Sequence, residues 1–188
     1  TRLVATLHDA EGRVAVDGFY DAVRELTPEE RADLNDPGFD ADAFLADVGA
    51  TAFWGEPGYT PAERVGARPT IDLVGISGGP GGDHIHAITP GRATAKFSCR
   101  LVPDQDPDQI LALIQRHFER HCPEGATLMF RTMPGIYPFA IDREHPGLVA
   151  AREVMQQMTG HEPMVWRTGG ALPMAAVFQR ELGADMVF

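Results

Sequence analysis

From Ala93 to Leu101, apolar and polar residues alternate without a break. Ala93, Ala95, Phe97, Cys99 and Leu101 fall on one side, and Thr94, Lys96, Ser98 and Arg100 on the other. Period two marks a strand with one packed face and one wet face. The pattern predicts a strand over Ala87 to Val102, bent at Pro90-Gly91. Thr70 to Ser77 reads as an earlier strand, with Ile71, Leu73 and Gly75 on one side, and Ala126 to Met133 as a later one. Between them Ile110, Leu113, Ile114 and Phe118 recur at intervals of three and four, so this helix lays one face on the sheet. Asp104 or Asp106 caps it, with Pro107 at its start.

Upstream the periodicity is shorter. Leu3, Val4 and Leu7 share a face at the end of a helix, and Asp9 to Gly18 is turn-like. Thr27-Pro-Glu-Glu30 is a helix start, with a threonine cap, a proline in the first turn and acids at the positive helix end. Asp40 to Val48 reads as a short helix packed through Phe39, Phe44, Leu45 and Val48. Trp54 to Gly66, rich in glycine and proline, reads as an exposed crossing loop. Beyond Pro134 to Pro138 the pattern changes to helix (His145 to Thr159, ended by Gly160), strand (Pro163 to Trp166), helix (Leu172 to Leu182) and strand again (Ala184 onward). The fold class is therefore α+β. A two-layer domain over 1–136, with an antiparallel sheet and helices on one face, precedes a piece of an α/β domain over 137–188. Both ends read as cut through elements.

The formal charge of −11 excludes a phosphate-binding nucleic-acid protein, which needs a basic face. No apolar run nears the roughly 18 residues that span a bilayer, and no secretory-signal pattern opens the chain. A cytoplasmic protein without a membrane role is expected. Two cysteines, Cys99 and Cys122, build no disulfide framework.

Three places could carry chemistry. Arg100 stands on the wet face near the end of a rigid strand, where a planar guanidinium can clamp a carboxylate; an ordinary solvated arginine fits the same pattern. Thr168-Gly-Gly-Ala171 lies between a strand and a helix, so Gly169 and Gly170 could offer backbone N–H groups to an anion, or simply turn the chain. His84 and His86 share a strand face and could chelate a metal, though wet surface histidines are the plainer reading. Gly78 to Gly82 lacks the strand-then-helix context of a nucleotide loop. His8, His117, His121, His145 and His161 form no cluster and read as surface residues, and Asp83, Asp104, Asp106 and Asp108 as turn and capping acids.

Four segments also resemble one family, in its order. Ala95-Lys-Phe-Ser-Cys-Arg-Leu-Val-Pro-Asp-Gln-Asp-Pro107 is similar to the lid strand of carnosinase-like zinc dipeptidases, which group with aminoacylases and the acetylornithine and succinyl-diaminopimelate deacylating enzymes. Arg68 to Gly75 resembles the preceding lid strand, Gly12 to Val23 the segment after the first lid helix, and Trp166 to Pro173 the glycine loop of the catalytic domain. The resemblance implies hydrolysis of an amide bond in a dipeptide or similar small substrate with a free carboxylate. Arg100 would hold that carboxylate. Gly169 and Gly170 would donate from the backbone, and in the lid loop that leans over a partner's active site His86 or Thr89 could supply the substrate contact in place of Ala87. It implies a homodimer formed through the lid and two zinc ions whose ligands lie outside these residues. None of the metal motifs is present, so the 188 residues alone are expected to be inactive. Two positions depart from the family: Ala171 where many members carry serine, and Ala87 where threonine or asparagine is usual. An N-acyl amino acid deacylase and a non-catalytic dimerisation module remain the alternatives.

Overall fold

The computed structural model describes residues 1–35, 40–81, 87–165, 167 and 172–187. Its elements are a 3-10 turn at Val4–Leu7, then α1 (Pro28–Leu34), α2 (Ala41–Val48), α3 (Pro61–Ala67), β1 (Thr70–Gly78), β2 (Ala93–Arg100), α4 (Pro107–His121), α5 (Pro146–Thr159) and α6 (Pro173–Val177). A π-helical turn, Phe178–Leu182, extends α6 to Gly183.

β1 and β2 pair antiparallel, with Ile71 opposite Cys99 and Leu73 opposite Phe97. Beyond Leu73 the register shifts, so that Gly75 faces Lys96 and Ile76 faces Ala95. Val74 is the extra residue of a bulge. Opposed residues share a sheet face, so Ile76 takes the apolar side and Gly75 the polar side. The expected placement of Gly75 among the apolar residues is thereby corrected, because an uninterrupted period of two carries no bulge. On β2 the alternation holds: Phe97 and Cys99 are half-buried, while Lys96, Ser98 and Arg100 are exposed. The strand begins at Ala93, later than Ala87, and the residues from Ala87 to Pro90 are exposed.

α4 covers the apolar face. Ile110, Ile114 and Phe118 are buried against Ile71, together with Leu7, Val14, Val16 and Phe19 from the N-terminal segment. The Phe97 and Phe118 rings lie 5.3 Å apart. Asp106, not Asp104, caps α4, its Oδ1 accepting from Asp108 and Gln109 N–H. Asp104 instead turns the chain at a positive φ of 73°. The α+β layering is thus present, with helix on one face of an antiparallel sheet.

Several expected elements differ. Trp54 to Gly66 is not all loop, because its second half forms α3. Thr60 caps Glu63 N–H, and the Glu63 carboxylate accepts from Thr60 N–H, the reciprocal arrangement that also starts α1 at Thr27 and Glu30. Ala126 to Met133 forms no ladder with β2. Leu128 and Phe130 still turn toward the core while Met129 is exposed, so the side-chain period survives without strand pairing. Among the described residues, Pro163 to Val165 and Ala184 to Val187 join no sheet either. Both read as strands from composition, but a strand needs a neighbour to bond, and none lies beside them among the described residues. α2 forms as expected on its Asp40 cap. Its Phe44 and Val48 are 47% and 57% exposed, so the expected packing side packs little, and Phe39 lies outside the described residues.

Candidate functional site

Arg100 is the last residue of β2, on its exposed face opposite Thr70. The same face carries Ser98 and Asp72, whose Oδ2 accepts from the Thr70 hydroxyl at 2.8 Å. The turn after Arg100 fixes the strand end. Val102 N–H donates to Gln105 Oε1 at 3.0 Å, and Gln105 Nε2 donates to the Phe19 carbonyl at 2.8 Å. Gln105 is 3% exposed, so this buried amide locks the turn to the core. The run from Val102 to Pro107 therefore has a physical role for each part: the left-handed turn at Asp104, the buried lock at Gln105, the cap at Asp106 and the helix start at Pro107. The guanidinium of Arg100 stands on backbone held from both sides.

Of the other expected substrate-binding residues, His86, Gly169 and Gly170 lie outside the described residues, as do His84, Thr168 and Ala171. The residue before that glycine segment, Arg167, is described and is half-buried. Its Nη2 donates to Glu30 Oε1 at 2.6 Å. Glu30 also accepts from both Arg24 Nη atoms and from Thr27 N–H. The Arg24 guanidinium, aided by Thr27 N–H and Arg167 and opposed by burial, holds the Glu30 carboxyl down at about 2.

A second cluster is invisible to sequence reasoning. Arg68 and Glu56, each 6% exposed, form a two-pronged ion pair, Nε to Oε2 and Nη2 to Oε1, both at 2.8 Å. Tyr59 and Tyr20 lie against the Arg68 guanidinium at 4.3 and 5.2 Å. Burial opposes the charge on Arg68, but the Glu56 hydrogen bonds outweigh it and hold its pKa above the ordinary value. Arg68 opens the Arg-Pro-Thr-Ile-Asp stretch, and its conspicuous arginine belongs to a sealed structural pair. The one sequence signal is the neighbourhood of two tyrosines and several acids, which a linear pattern cannot assemble.

The histidines need one correction. His117 is no surface residue: it is 6% exposed, its Nε2 lies 2.9 Å from the Thr6 hydroxyl, and its ring packs 4.2 Å from that of His121. Burial, with His121 beside it, pushes its pKa below the ordinary value. His145 caps α5 through Gly147 N–H and sits 3.5 Å from Asp185. Among the described residues no three His, Cys, Asp or Glu side chains converge into a group that could hold a metal ion. A metal centre does not fit the donors these residues supply. Cys99 and Cys122 are free, and burial pushes the Cys99 thiol up to about 11. Among the described residues no helix is long and apolar enough to cross a membrane.

Residues 1–126 match the peptidase dimerisation domain family. Among curated proteins, the chain is 25% identical over 189 residues to human Beta-Ala-His dipeptidase, covering 98% of this chain and 37% of that protein. It is 24% identical over 190 residues to the Cys-Gly metallodipeptidase DUG1 of Saccharomyces cerevisiae, covering 99% of this chain and 39% of that one. Among solved structures, an M20 family metallo-carboxypeptidase of Sulfolobus solfataricus superposes with a TM-score of 0.82 at 30% identity, over 97% of this chain and 41% of that chain. Human carnosine dipeptidase 1 superposes with a TM-score of 0.75 at 25% identity, over 97% and 39% respectively. The chain thus spans about two fifths of the length of the relatives it matches.

Proposed function

Starting from the fact that this chain belongs to the M20 peptidase dimerisation-domain family, as a carnosinase-like member, we propose that it is the lid and dimerisation part of a metal-dependent dipeptidase. The observation that carries the reading is Arg100, a guanidinium on the exposed face of a strand whose following turn is locked into the core by Gln105. A planar guanidinium at this place can exchange its present contact for two parallel hydrogen bonds to the free carboxylate of a dipeptide, and the rigid backbone limits the entropy lost on binding. Gly169 and Gly170 would add backbone donors, and His86 a contact from the lid of the second subunit. The named activities of the relatives, on Beta-Ala-His and Cys-Gly, support a dipeptide over an N-acyl amino acid.

The metal chemistry of such hydrolases activates water and polarises the amide carbonyl. We assign two zinc ions to it, with ligands from residues other than these 188. Self-association through the lid, as a homodimer, accords with the family description. Free Cys99 and Cys122 suit a reducing cytoplasm. The division into 1–136 and 137–188 is part of this reading; the family model spans residues 1–126.

The test uses the chain extended at both ends to the length of its dipeptidase relatives. Arg100→Ala should lower kcat/KM for dipeptides by about 10- to 100-fold, as expected for losing a charged hydrogen bond. Its effect should vanish on substrates amidated at the C-terminus. Unchanged kinetics in Arg100→Ala would remove the carboxylate role.

A further inference from the structure

Among the described residues, the apolar core takes its members from Leu3 to Phe130 and none from the C-terminal stretch. Two sets of contacts tie that stretch to the rest. The first lies on α1. Asp33 pairs with Arg143, and Glu30 Oε1 accepts from Arg167 Nη2 at 2.6 Å. Glu30 and Asp33 stand three residues apart, on one face of the helix. Both carboxylates lie within residues 1–126, the stretch that matches the dimerisation family, while Arg143 and Arg167 lie beyond it. Beside them α3 meets the Arg167 backbone. A Cβ placed on Gly66 would come within 2.9 Å of the Arg167 carbonyl oxygen and 2.9 Å of Leu34 Cδ2.

The second set lies at the start of α4. The Tyr137 hydroxyl donates to Oδ2 of the capping Asp106 at 3.2 Å, and the Arg180 guanidinium lies over the Tyr137 ring at 3.5 Å. A Cβ on Gly135 would stand 2.4 Å from Pro107 Cβ, so the connecting backbone rests directly on the first turn of α4. This set sits where the chain crosses from one part to the other, so one part can turn about it without stretching the connection. Arg167 is far along the chain from that crossing, and the α1 pairs are what such a turn would break. They are built to open: the Asp33 and Arg143 side chains are 30% and 37% exposed, and partly exposed ion pairs add little stability each.

We propose that α1 is an electrostatic clasp that closes the C-terminal part of the chain onto the dimerisation part, with the Asp106–Tyr137–Arg180 contact as its hinge. The inference goes beyond the dipeptidase reading and does not depend on it. Closed, the clasp fixes α5 relative to α4 and to the strand that carries Arg100. Released, it lets α5 move about the hinge. Glu30 has other donors on its own side of the joint: Arg24 Nη1 and Nη2 at 3.0 and 2.6 Å, and Thr27 N–H at 2.9 Å. These keep the carboxylate in place with or without Arg167. The clasp is therefore opened cleanly from its arginine side, at Arg143 and Arg167, with α1 left intact.

The separation of the two parts is read by electron–electron resonance between spin labels at Ala112→Cys on α4 and Gln157→Cys on α5, both exposed positions, in a chain carrying Cys99→Ala and Cys122→Ser. With the clasp intact the distances should fall in one narrow distribution. Arg143→Gln with Arg167→Gln should shift it to longer distances and widen it about twofold, while the α4 amides keep their protection from hydrogen exchange. Arg143→Asp alone should loosen the joint in the same direction, and adding Asp33→Arg should bring the narrow distribution back, which a general loss of stability would not allow. An unchanged distribution in the arginine variants, a charge swap that restores nothing, or loss of α4 protection alongside the widening each overturns the clasp. Dipeptide hydrolysis enters none of these readouts, so the clasp and the dipeptidase reading stand or fall separately.

Discussion

The side of the molecule around α4 and the side around α1 and α3 are held by opposite chemistry. Around α4, Leu7, Phe19, Ile71, Ile110, Ile114 and Phe118 shut out water and bury one amide lock, Gln105. Around α1 and α3 the buried side chains include Glu56, Glu63 and Arg68, and the contacts are ion pairs and capping boxes. Apolar packing tolerates approximate fit and takes its strength from area. A buried charge network takes its strength from completeness, because one missing partner leaves an uncompensated charge. The first side makes a rigid platform for Arg100. The second makes joints with defined partners, one of which reaches Arg167.

The largest effect should come from breaking the apolar side. Phe118→Ala removes a ring that touches Phe97 and Phe130 and should cost about 3–5 kcal/mol in urea unfolding. Breaking the charged side by half should cost nearly as much. Glu56→Gln leaves buried Arg68 with only the exposed Glu25 carboxylate at 3.7 Å, at about 3 kcal/mol, whereas Glu56→Leu with Arg68→Met should lie within about 1–2 kcal/mol of the natural chain. If the half-broken pair proves no worse than the double replacement, the contrast between the two sides fails. Gln105→Ala orphans Val102 N–H and the Phe19 carbonyl and should cost about 1–3 kcal/mol by the same measurement.

Acid should separate the two sides by pH rather than by size. His117 has a lowered pKa when folded, so its unfolded form takes the proton first. Stability is complete above the ordinary value of 6.5 and falls as pH drops below it. Glu30 works lower. Its folded carboxyl titrates at about 2 against an ordinary 4.5, so its contribution is present above 4.5 and is lost as pH falls from there toward 2. Denaturation followed against pH should show His117→Gln flattening the first descent and Glu30→Gln the second. A shared pH range for both variants would contradict the assignment.

The apolar side is legible in the sequence because period two and period three-to-four are local signals. β2, α4 and the Asp106 cap lie within a few residues of where those patterns place them, apart from the overlong start at Ala87. The bulge at Val74 is not legible, since it depends on how a partner strand pairs. α3 hides among glycines and prolines, although Thr60-Pro-Ala-Glu63 repeats the Thr27-Pro-Glu-Glu30 signature that starts α1. The strands expected after residue 125 rest on composition that a sheet neighbour would have to complete. The charged side is almost wholly illegible: Glu56, Arg68, Tyr59 and Tyr20 meet only in three dimensions. Of the expected site, Arg100 stands where the alternation puts it, on the exposed strand face.

The most direct test compares dipeptide hydrolysis and bound metal in the 188-residue chain and in the chain extended at both ends, each with and without Arg100→Ala. We expect activity and about two zinc ions in the extended chain alone, with kcat/KM collapsing on Arg100→Ala while metal content holds. Metal and activity in the 188 residues themselves, or an extended enzyme indifferent to Arg100, would contradict the lid-and-clamp reading.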